Sequence, residues 1–338
     1  MPAAAPATIR ALTRTERGIV LVRAGPMLDL RPGEALLRLV ALGLGSPDLA
    51  IAAGRHPFRG IMGREFIAVV ESINPRPGRM TDGDWIGKRV VGQPFIPCAA
   101  CDLCRGGLGP VCRAIIRPGL SGRDGGAADL FTYPIACLHD VPGRVGDEAA
   151  VLSFSLAAAL RAVRLCGADA RSNLTVLGDG AIGLLCAQVA AAEFPRTRLL
   201  GLRPAGYELC ERWGIPHRDA REAGARHDQQ AVIDCTNSPA GMELASGLVM
   251  PRGRIVRVQR GLPDTAGQNG PPGLWSALER EVTFIGIAPP TPVEALAALA
   301  AGRYDVTPLV TERLMLEQGP AALLAAAETG AIKVIVRA

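Results

Sequence analysis

The fold of this chain is decided by a stretch near its middle, Leu174-Thr175-Val176-Leu177-Gly178-Asp179-Gly180-Ala181-Ile182-Gly183. A short apolar run is followed by glycines with the spacing GxGxxG and then by an apolar stretch over 181–192, which predicts a helix. A strand, a glycine-rich turn and a helix in this order are typical of a turn that holds a dinucleotide pyrophosphate at the helix N-terminus. The predicted cofactor contacts here are Gly178, Gly180, Ala181, Ile182 and Gly183. The alternative is a glycine-rich turn that binds no nucleotide.

The regions on either side of this turn have different patterns. From about residue 154 to 287, apolar runs alternate with helical stretches, which predicts a parallel sheet covered by helices. Residues 1–153 contain short apolar runs broken by Gly and Pro, which predicts the many short strands of a barrel-like domain. We therefore predict an α/β protein with a β-rich domain over 1–153, a doubly wound nucleotide-binding domain over 154–287 and a C-terminal segment over 288–338.

The end of the second predicted strand of the parallel sheet bears on which dinucleotide is bound. An acidic residue roughly 20 positions after the glycines usually accepts a hydrogen bond from the ribose 2′-hydroxyl of NAD. Here the strand runs into Gly201-Leu202-Arg203-Pro204, which contains no carboxylate. We interpret Gly201 as room for a 2′-phosphate and Arg203 as its partner, which favours NADP(H). The alternative is that Arg203 is an ordinary solvated residue at a helix start.

Four of the nine cysteines lie close together in the chain, namely Cys98, Cys101, Cys104 and Cys112. An odd total with one tight cluster indicates a metal site more than a disulfide framework. Four thiolates suit tetrahedral zinc and leave no open position for a substrate. The long last gap, followed by Arg113, differs from the bacterial ferredoxin iron–sulfur spacing. We predict one structural zinc ion per chain, in a lobe over about residues 95–115; the alternative is four unligated thiols.

Composition and charge exclude several classes of protein. The 338 residues are 49% hydrophobic and 20% charged, which is typical of a globular protein. The net charge is +5, and no basic run of five or more residues occurs, so we expect no nucleic-acid partner. No apolar run reaches 18 residues and the N-terminal segment does not resemble a secretory signal, so we expect no membrane partner and a cytoplasmic location.

Taken together, these motifs resemble the zinc-type medium-chain alcohol dehydrogenases, including sorbitol and threonine dehydrogenases, over almost the whole chain. Other similar segments are Gly83-Asp84, Gly87-Lys88-Arg89-Val90, Ala231-Val232-Ile233-Asp234-Cys235-Thr236-Asn237-Ser238-Pro239 and Ala331-Ile332-Lys333-Val334. The turn from Gly201 to Pro204 looks like that of NADP-dependent members. The resemblance implies a GroES-like catalytic domain plus a Rossmann domain, with the C-terminal segment returning to the catalytic domain. It also implies a homodimer or homotetramer that exchanges hydride between nicotinamide and a small-molecule carbonyl or alcohol.

The chain departs from the family where the catalytic zinc is held. The family's cysteine ligand, in a segment like Gly43-Leu44-Gly45-Ser46-Pro47-Asp48, aligns with Gly45. The family's histidine ligand aligns with Arg64 in Gly63-Arg64-Glu65, and the third ligand aligns with Phe154. All three ligands are therefore missing by alignment, and two carboxylates beside an arginine do not make a three-ligand zinc site.

The residues left at these positions give the catalytic candidates, Ser46, Asp48, Arg64 and Glu65. The permanent charge of Arg64 could stabilise the oxyanion that zinc would otherwise stabilise. Equally, Arg64 could pair with a neighbouring carboxylate and only fill the vacated site. His56, near the same loop, is a candidate proton donor, although a lone histidine is more often structural.

Three functions are compatible with these sequence features. We favour an NADPH-dependent reductase that acts without a catalytic zinc on a carbonyl or an activated double bond. The second is a non-catalytic NADP(H)-binding or sensor protein that has kept the fold. The third is a dehydrogenase that recruits a metal through unexpected ligands.

Overall fold

The structure, a computed structural model, describes residues 8–24, 29–76, 84–258, 273–321, 323 and 331–338. Within these residues the chain divides into two compact units. The first comprises Met1–Phe154, Pro289–Arg303 and Val310–Ala338, and the second comprises Ser155–Ala288 and Tyr304–Leu309. No helix in the described part of the chain is long and apolar enough to cross a membrane.

The first unit is rich in strands. Its strands are β1 (Ile9–Thr15), β2 (Gly18–Ala24), β3 (Glu34–Leu44), β4 (Gly60–Ile61), β5 (Glu65–Asn74), β6 (Arg89–Gly92), β7 (Leu130–Pro134) and β8 (Leu138–Asp140). Its short helices are α1 (Ser46–Ala52), α2 (Asp102–Arg105) and α3 (Asp147–Val151). Helix α4 (Ser153–Leu165) begins where the first unit ends.

The second unit alternates strands with helices, as its pattern of apolar runs predicts. The elements are β9 (Leu174–Leu177), α5 (Ala181–Glu193), β10 (Thr197–Gly201), α6 (Pro204–Arg212), β11 (His217–Asp219), β12 (Gln229–Asp234), α7 (Pro239–Leu248), β13 (Val249–Arg257), α8 (Leu274–Glu279) and β14 (Thr283–Gly286). The chain then supplies α9 (Val293–Ala300), β15 (Val310–Met315) and β16 (Lys333–Arg337) to the first unit.

The six strands of the second unit form one parallel sheet in the order β11-β10-β9-β12-β13-β14. This is the strand order of a doubly wound sheet, in which the order reverses between β9 and β12. In such sheets, ligands bind at the carboxyl ends of the two strands that flank this point. The glycine-rich turn lies at this point because it directly follows β9. Strand β9 is buried along its whole length, as a central strand of a parallel sheet requires.

In the first unit, a sheet with the order β15-β16-β3-β5-β6-β8 carries β7 as an extra partner of β3, and β2-β1-β4 form a second sheet. Its core contains the aromatic residues Phe66, Phe131 and Tyr133, which pack edge to face with ring centroids 4.8 and 5.2 Å apart. The chain thus contains a β-rich unit and a second unit with a doubly wound parallel sheet, which confirms the predicted α/β fold class.

The observed unit boundaries lie one residue after the predicted ones, at 154/155 and 288/289, and one short segment is placed in a different unit. Residues 304–309 belong to the second unit, whereas they were expected in the returning C-terminal segment. The reason is a pair of reciprocal hydrogen bonds between the Gln188 side chain on α5 and the Asp305 backbone, 2.9 and 3.1 Å long. Arg212 at the end of α6 also forms an ion pair with the Asp305 carboxylate at 3.0 Å.

Candidate cofactor and catalytic sites

The glycine-rich turn has a backbone geometry that only glycine satisfies at two positions. Gly178 has a φ of +98°, in the left-handed region that disfavours side chains. A Cβ at Gly183 would collide with the Gly178 carbonyl oxygen, so the helix can pack this closely on the turn only without a side chain. Strand β9 and helix α5 are therefore joined in the compact form that the sequence motif predicts.

The N-terminus of α5 is open towards the carboxyl edge of the sheet. Gly180 caps the helix without any side-chain hydrogen bond to its first N–H groups. A Cβ built on Gly180 would meet no heavy atom within 4 Å, so the backbone is free to approach a ligand. Free N–H groups and the positive end of the helix dipole together attract a phosphate. Ala181 and Ile182, two of the predicted cofactor contacts, lie in the first turn of α5.

At the end of β10, a side chain lies where the sequence predicts open space. The space above Gly201, interpreted from the sequence as room for a 2′-phosphate, contains the Asp179 side chain: a Cβ on Gly201 would lie 2.6 Å from the Asp179 Cβ and Cγ. The Asp179 Oδ2 accepts hydrogen bonds from the N–H groups of Leu202, at 2.6 Å, and of Arg203. Gly201 thus makes room for a side chain that the glycine-rich turn itself supplies, and its contact with a 2′-phosphate stays a prediction.

Arg203 caps the start of α6 and keeps its side chain partly in solvent. Its Nε lies 3.9 Å from the Asp179 Oδ1, and 45% of the side chain is exposed. The guanidinium edge formed by the two Nη atoms makes no hydrogen bond in the described residues, so it remains available to a phosphate.

In the first unit, Glu65 and Lys333 form a buried ion pair. Lys333 Nζ lies 2.8 Å from Glu65 Oε2, and both side chains are at most 3% exposed. Strand β3 runs between β5 and β16, with Gly43 opposite both Glu65 and Ile335, so the pair crosses over Gly43. A Cβ on Gly43 would lie 2.7 Å from Lys333 Cε, which explains the glycine there. This pairing gives the Glu65 carboxylate a structural role, and its catalytic role stays a prediction.

Asp48 is buried in the first turn of α1 and holds the helix start. Its Oδ2 accepts a hydrogen bond from the Gly45 N–H at 3.0 Å, and its Oδ1 is buried without a hydrogen-bond partner. Burial raises the pKa of the Asp48 carboxyl, and the positive charge of Arg64 opposes that rise. Ser46 is exposed at the first position of the same helix, whereas Pro47 is buried. Asp48 therefore positions the segment, and only Ser46 offers a solvent-facing hydroxyl.

Arg64, the residue aligned with the family's histidine ligand, is a buried cation with unused hydrogen-bonding capacity. It is 9% exposed, and its Nε has no hydrogen-bond partner among the described residues. The neighbouring Asp48 accepts a hydrogen bond from the Gly45 N–H and acts on Arg64 through its charge, and Glu65 accepts one from Lys333. A buried donor without an acceptor costs about 1–3 kcal/mol, which an incoming oxygen would offset.

His56 is close enough to Arg64 for the positive charge of Arg64 to affect its pKa. Its Nδ1 accepts a hydrogen bond from the Phe58 N–H at 3.1 Å, which leaves the proton of the neutral ring on Nε2. Partial burial and the charge of Arg64 lower the pKa of His56 below its ordinary value. The ring is therefore neutral at pH 7 and can donate through Nε2.

The four clustered cysteines converge on one point. Their Sγ atoms all lie within 4.8 Å of one another, with two pairs, Cys98–Cys104 and Cys101–Cys112, at 3.9 Å. A tetrahedral ion with Zn–S bonds of about 2.3 Å requires sulfur–sulfur separations of roughly 3.8 Å. Backbone N–H groups, Arg113 first, lower the pKa of the Cys101 thiol to about 6, whereas desolvation and neighbouring thiols raise that of Cys104 to about 12. Four thiolates this close need a cation to ionise together, so the residues present fit zinc.

The positions that the family resemblance predicts to align with the catalytic zinc ligands do not form such a group. Gly45 offers no ligand atom, Arg64 is a cation and Phe154 is a buried aromatic residue. Across the described residues, the four cysteines are the one place where three or more His, Cys, Asp or Glu ligand atoms come together. The donor set at these positions therefore does not fit a zinc ion.

Sequence reasoning missed two residues at these sites. Lys333 lies 268 positions from Glu65 in the chain, and a lysine inside an apolar strand of an arginine-rich protein was the signal that could have identified it. Asp179 stands at the second position of GxGxxG, where the motif specifies no residue type, and nothing local shows that its carboxylate reaches the end of β10.

Comparisons with known proteins agree with this architecture. Residues 31–143 match the alcohol dehydrogenase GroES-like domain. The chain is 31% identical over 186 residues to D-altritol 5-dehydrogenase from Agrobacterium fabrum, covering 53% of this chain and 54% of that protein. It is 30% identical over 251 residues to erythritol/L-threitol dehydrogenase from Mycolicibacterium smegmatis, covering 67% of this chain and 69% of that protein. It therefore spans about half of the first relative and about two thirds of the second.

Among solved structures, a zinc-binding dehydrogenase from Sinorhizobium meliloti, bound to NADP, superposes with a TM-score of 0.85. The superposition covers 98% of this chain and 100% of that one, at 23% sequence identity. At this identity the likeness establishes the fold of the chain.

Proposed function

This chain belongs to the zinc-type alcohol dehydrogenase family of oxidoreductases. We propose that it transfers hydride between NADP(H) and a small carbonyl compound, or an activated double bond, without a catalytic zinc ion. The observation that carries the proposal is Arg64, a buried cation whose Nε lacks a hydrogen-bond partner at the position of a family zinc ligand. A guanidinium aimed at a developing oxyanion performs the electrostatic part of the chemistry that a metal performs elsewhere.

In the proposed reaction, NADPH, when bound, supplies the hydride, and residues of the chain bind the cofactor, stabilise the substrate oxygen and deliver a proton. The free N–H groups at the start of α5 bind the pyrophosphate, and Arg203 binds the 2′-phosphate. Arg64 donates hydrogen bonds to the substrate oxygen as negative charge develops on it. His56 Nε2, which carries the proton of the neutral ring, and the exposed Ser46 hydroxyl are the candidate groups for delivering a proton to that oxygen.

The test of the proposal is NADPH oxidation with a panel of substrates. The panel includes ketoses related to altritol, erythritol and threitol, because the relatives are named for these polyols, together with simple ketones, enones and quinones. We expect turnover with at least one of these classes of compound. The reaction is monitored as a decrease in the absorbance of the reduced nicotinamide. Tight NADPH binding without turnover of any compound would instead support a non-catalytic NADP(H)-binding protein.

The assignment of NADP(H) predicts a selective effect at Arg203. Arg203→Ala should weaken NADPH binding by roughly tenfold to a hundredfold, because a charge-assisted hydrogen bond to phosphate contributes about 1.5–3 kcal/mol. NADH binding should change little. Fluorescence titration of both dinucleotides measures this, with Arg212→Ala at the opposite end of α6 as the matched control. Equal losses for the two dinucleotides would refute the assignment.

We further propose that the four clustered cysteines hold one structural zinc ion per chain. Cys101→Ser should reduce the zinc content from one equivalent to near zero after dialysis and lower the melting temperature, because a closed site loses a quarter of its ligands. Metal analysis of the purified chain checks this, with Cys210→Ser, outside the cluster, as the control that keeps its zinc. Two equivalents in the wild-type chain would contradict the proposal that no catalytic zinc is present.

A further inference from the structure

Asp179 occupies a position built to hold a carboxylate at the end of β10. Glycines leave room for it on two sides: a Cβ on Gly201 would lie 2.6 Å from the Asp179 Cβ, and a Cβ on Gly206 would lie 2.8 Å from it. The residue is only 6% exposed. Larger side chains at positions 201 and 206 would displace it, so the carboxylate is held by shape as well as by hydrogen bonds.

The hydrogen bonds of Asp179 bring its negative charge to the start of α6. Its Oδ2 accepts from the N–H groups of Leu202 and Arg203, which are among the groups that an anion would otherwise bind at this helix. Its Oδ1 makes no shorter polar contact, within the described residues, than the 3.9 Å to Arg203 Nε. One carboxylate oxygen is therefore fully used by the backbone, and the other retains acceptor capacity.

An acid at the end of this strand is the group that normally accepts a hydrogen bond from the ribose 2′-hydroxyl of NAD. Here the acid comes from the glycine-rich turn, and the adjacent Arg203 brings the cation that normally accommodates a 2′-phosphate. The two side chains favour opposite cofactors. A 2′-phosphate gains the attraction of Arg203 but meets the repulsion of Asp179, whereas a 2′-hydroxyl can donate to Asp179 Oδ1.

We propose that Asp179 is a second determinant of cofactor specificity, which opposes Arg203 by accepting the 2′-hydroxyl and repelling the 2′-phosphate. This inference rests on the proposed binding of a nicotinamide dinucleotide by the second unit. It implies that the preference of the wild-type chain for NADPH over NADH is small. It also implies that the preference is limited by a charge and not by a lack of space.

The experiment is isothermal titration calorimetry of the full chain with 2′,5′-ADP and with 5′-AMP. These two nucleotides represent the adenosine portions of NADPH and NADH and differ only in the 2′-phosphate. Asp179→Asn keeps an oxygen that can accept from Leu202 and Arg203 and removes only the charge. We expect it to tighten 2′,5′-ADP binding by about tenfold, the effect of removing one nearby like charge, and to weaken 5′-AMP binding severalfold. Asp169→Asn also removes one carboxylate charge, but Asp169 precedes β9 and lies at the amino end of that strand. This variant should change the affinity for neither fragment.

The outcomes separate this inference from the assignment of the cofactor. An unchanged ratio of the two affinities in folded Asp179→Asn overturns the role of Asp179 alone. Failure of the wild-type chain to bind either fragment overturns the dinucleotide proposal and this inference with it. If Asp179→Asn fails to fold by circular dichroism, Asp179→Ser, which also fits between Gly201 and Gly206 and lacks the charge, takes its place with the same expected shift.

Discussion

Replacing Lys333 with alanine should lower the free energy of unfolding of the β-rich unit by about 3–5 kcal/mol, the usual cost of leaving one partner of a buried ion pair uncompensated. Glu65 would then be a buried carboxylate facing the cavity that the lysine side chain leaves. The loss is measured as a shift of the denaturant midpoint in chemical unfolding, monitored by circular dichroism.

The control for this experiment is Lys88, which is the only other lysine in the chain. Lys88 is 40% exposed and pairs with Asp140 at 3.5 Å, so Lys88→Ala should cost less than about 1 kcal/mol. The double variant Glu65→Gln/Lys333→Met should be less destabilised than Lys333→Ala, because it leaves no buried charge unpaired. Equal effects of the Lys88 and Lys333 substitutions would show that the buried pair contributes no more than a surface one.

Replacing Arg64 with alanine should lower kcat/KM for the reduction by about a hundredfold or more, the typical cost of removing a donor that stabilises an oxyanion. The dissociation constant for NADPH should not change, because the proposed nucleotide contacts come from the glycine-rich turn and Arg203. Steady-state kinetics with the substrate found in the panel, together with NADPH titration, separates the two effects.

Two further variants distinguish a role in catalysis from a role in filling the vacated metal position. Arg64→Lys keeps the charge but loses the planar fork of donors, so its activity should lie between that of the wild type and that of Arg64→Ala. Added guanidinium ion should partly restore Arg64→Ala. Arg55→Ala, in the exposed loop after α1, is the matched control. Full activity of Arg64→Ala would eliminate Arg64 as the electrophile.

The fold was predictable from the sequence because its signals are local. The apolar run over 174–177, the glycine spacing after it and the apolar stretch that follows specify a strand, a turn and a helix within twenty residues of chain. The resemblance to zinc-type alcohol dehydrogenases and the α/β class are both confirmed. The cysteine cluster is local as well, and its four sulfur atoms converge as the spacing predicts.

Local patterns in the sequence are therefore sufficient to predict the fold class, the turn that can hold a dinucleotide and the set of cysteines that can hold zinc. The partners of the charged residues depend instead on how distant segments pack together. Strand β16 brings Lys333 across Gly43 to Glu65, and the turn after β9 brings Asp179 over Gly201. The physical reason is that a charge inside a protein takes whichever partner the packed strands place within about 3 Å, and sheet topology, not distance along the chain, sets that partner.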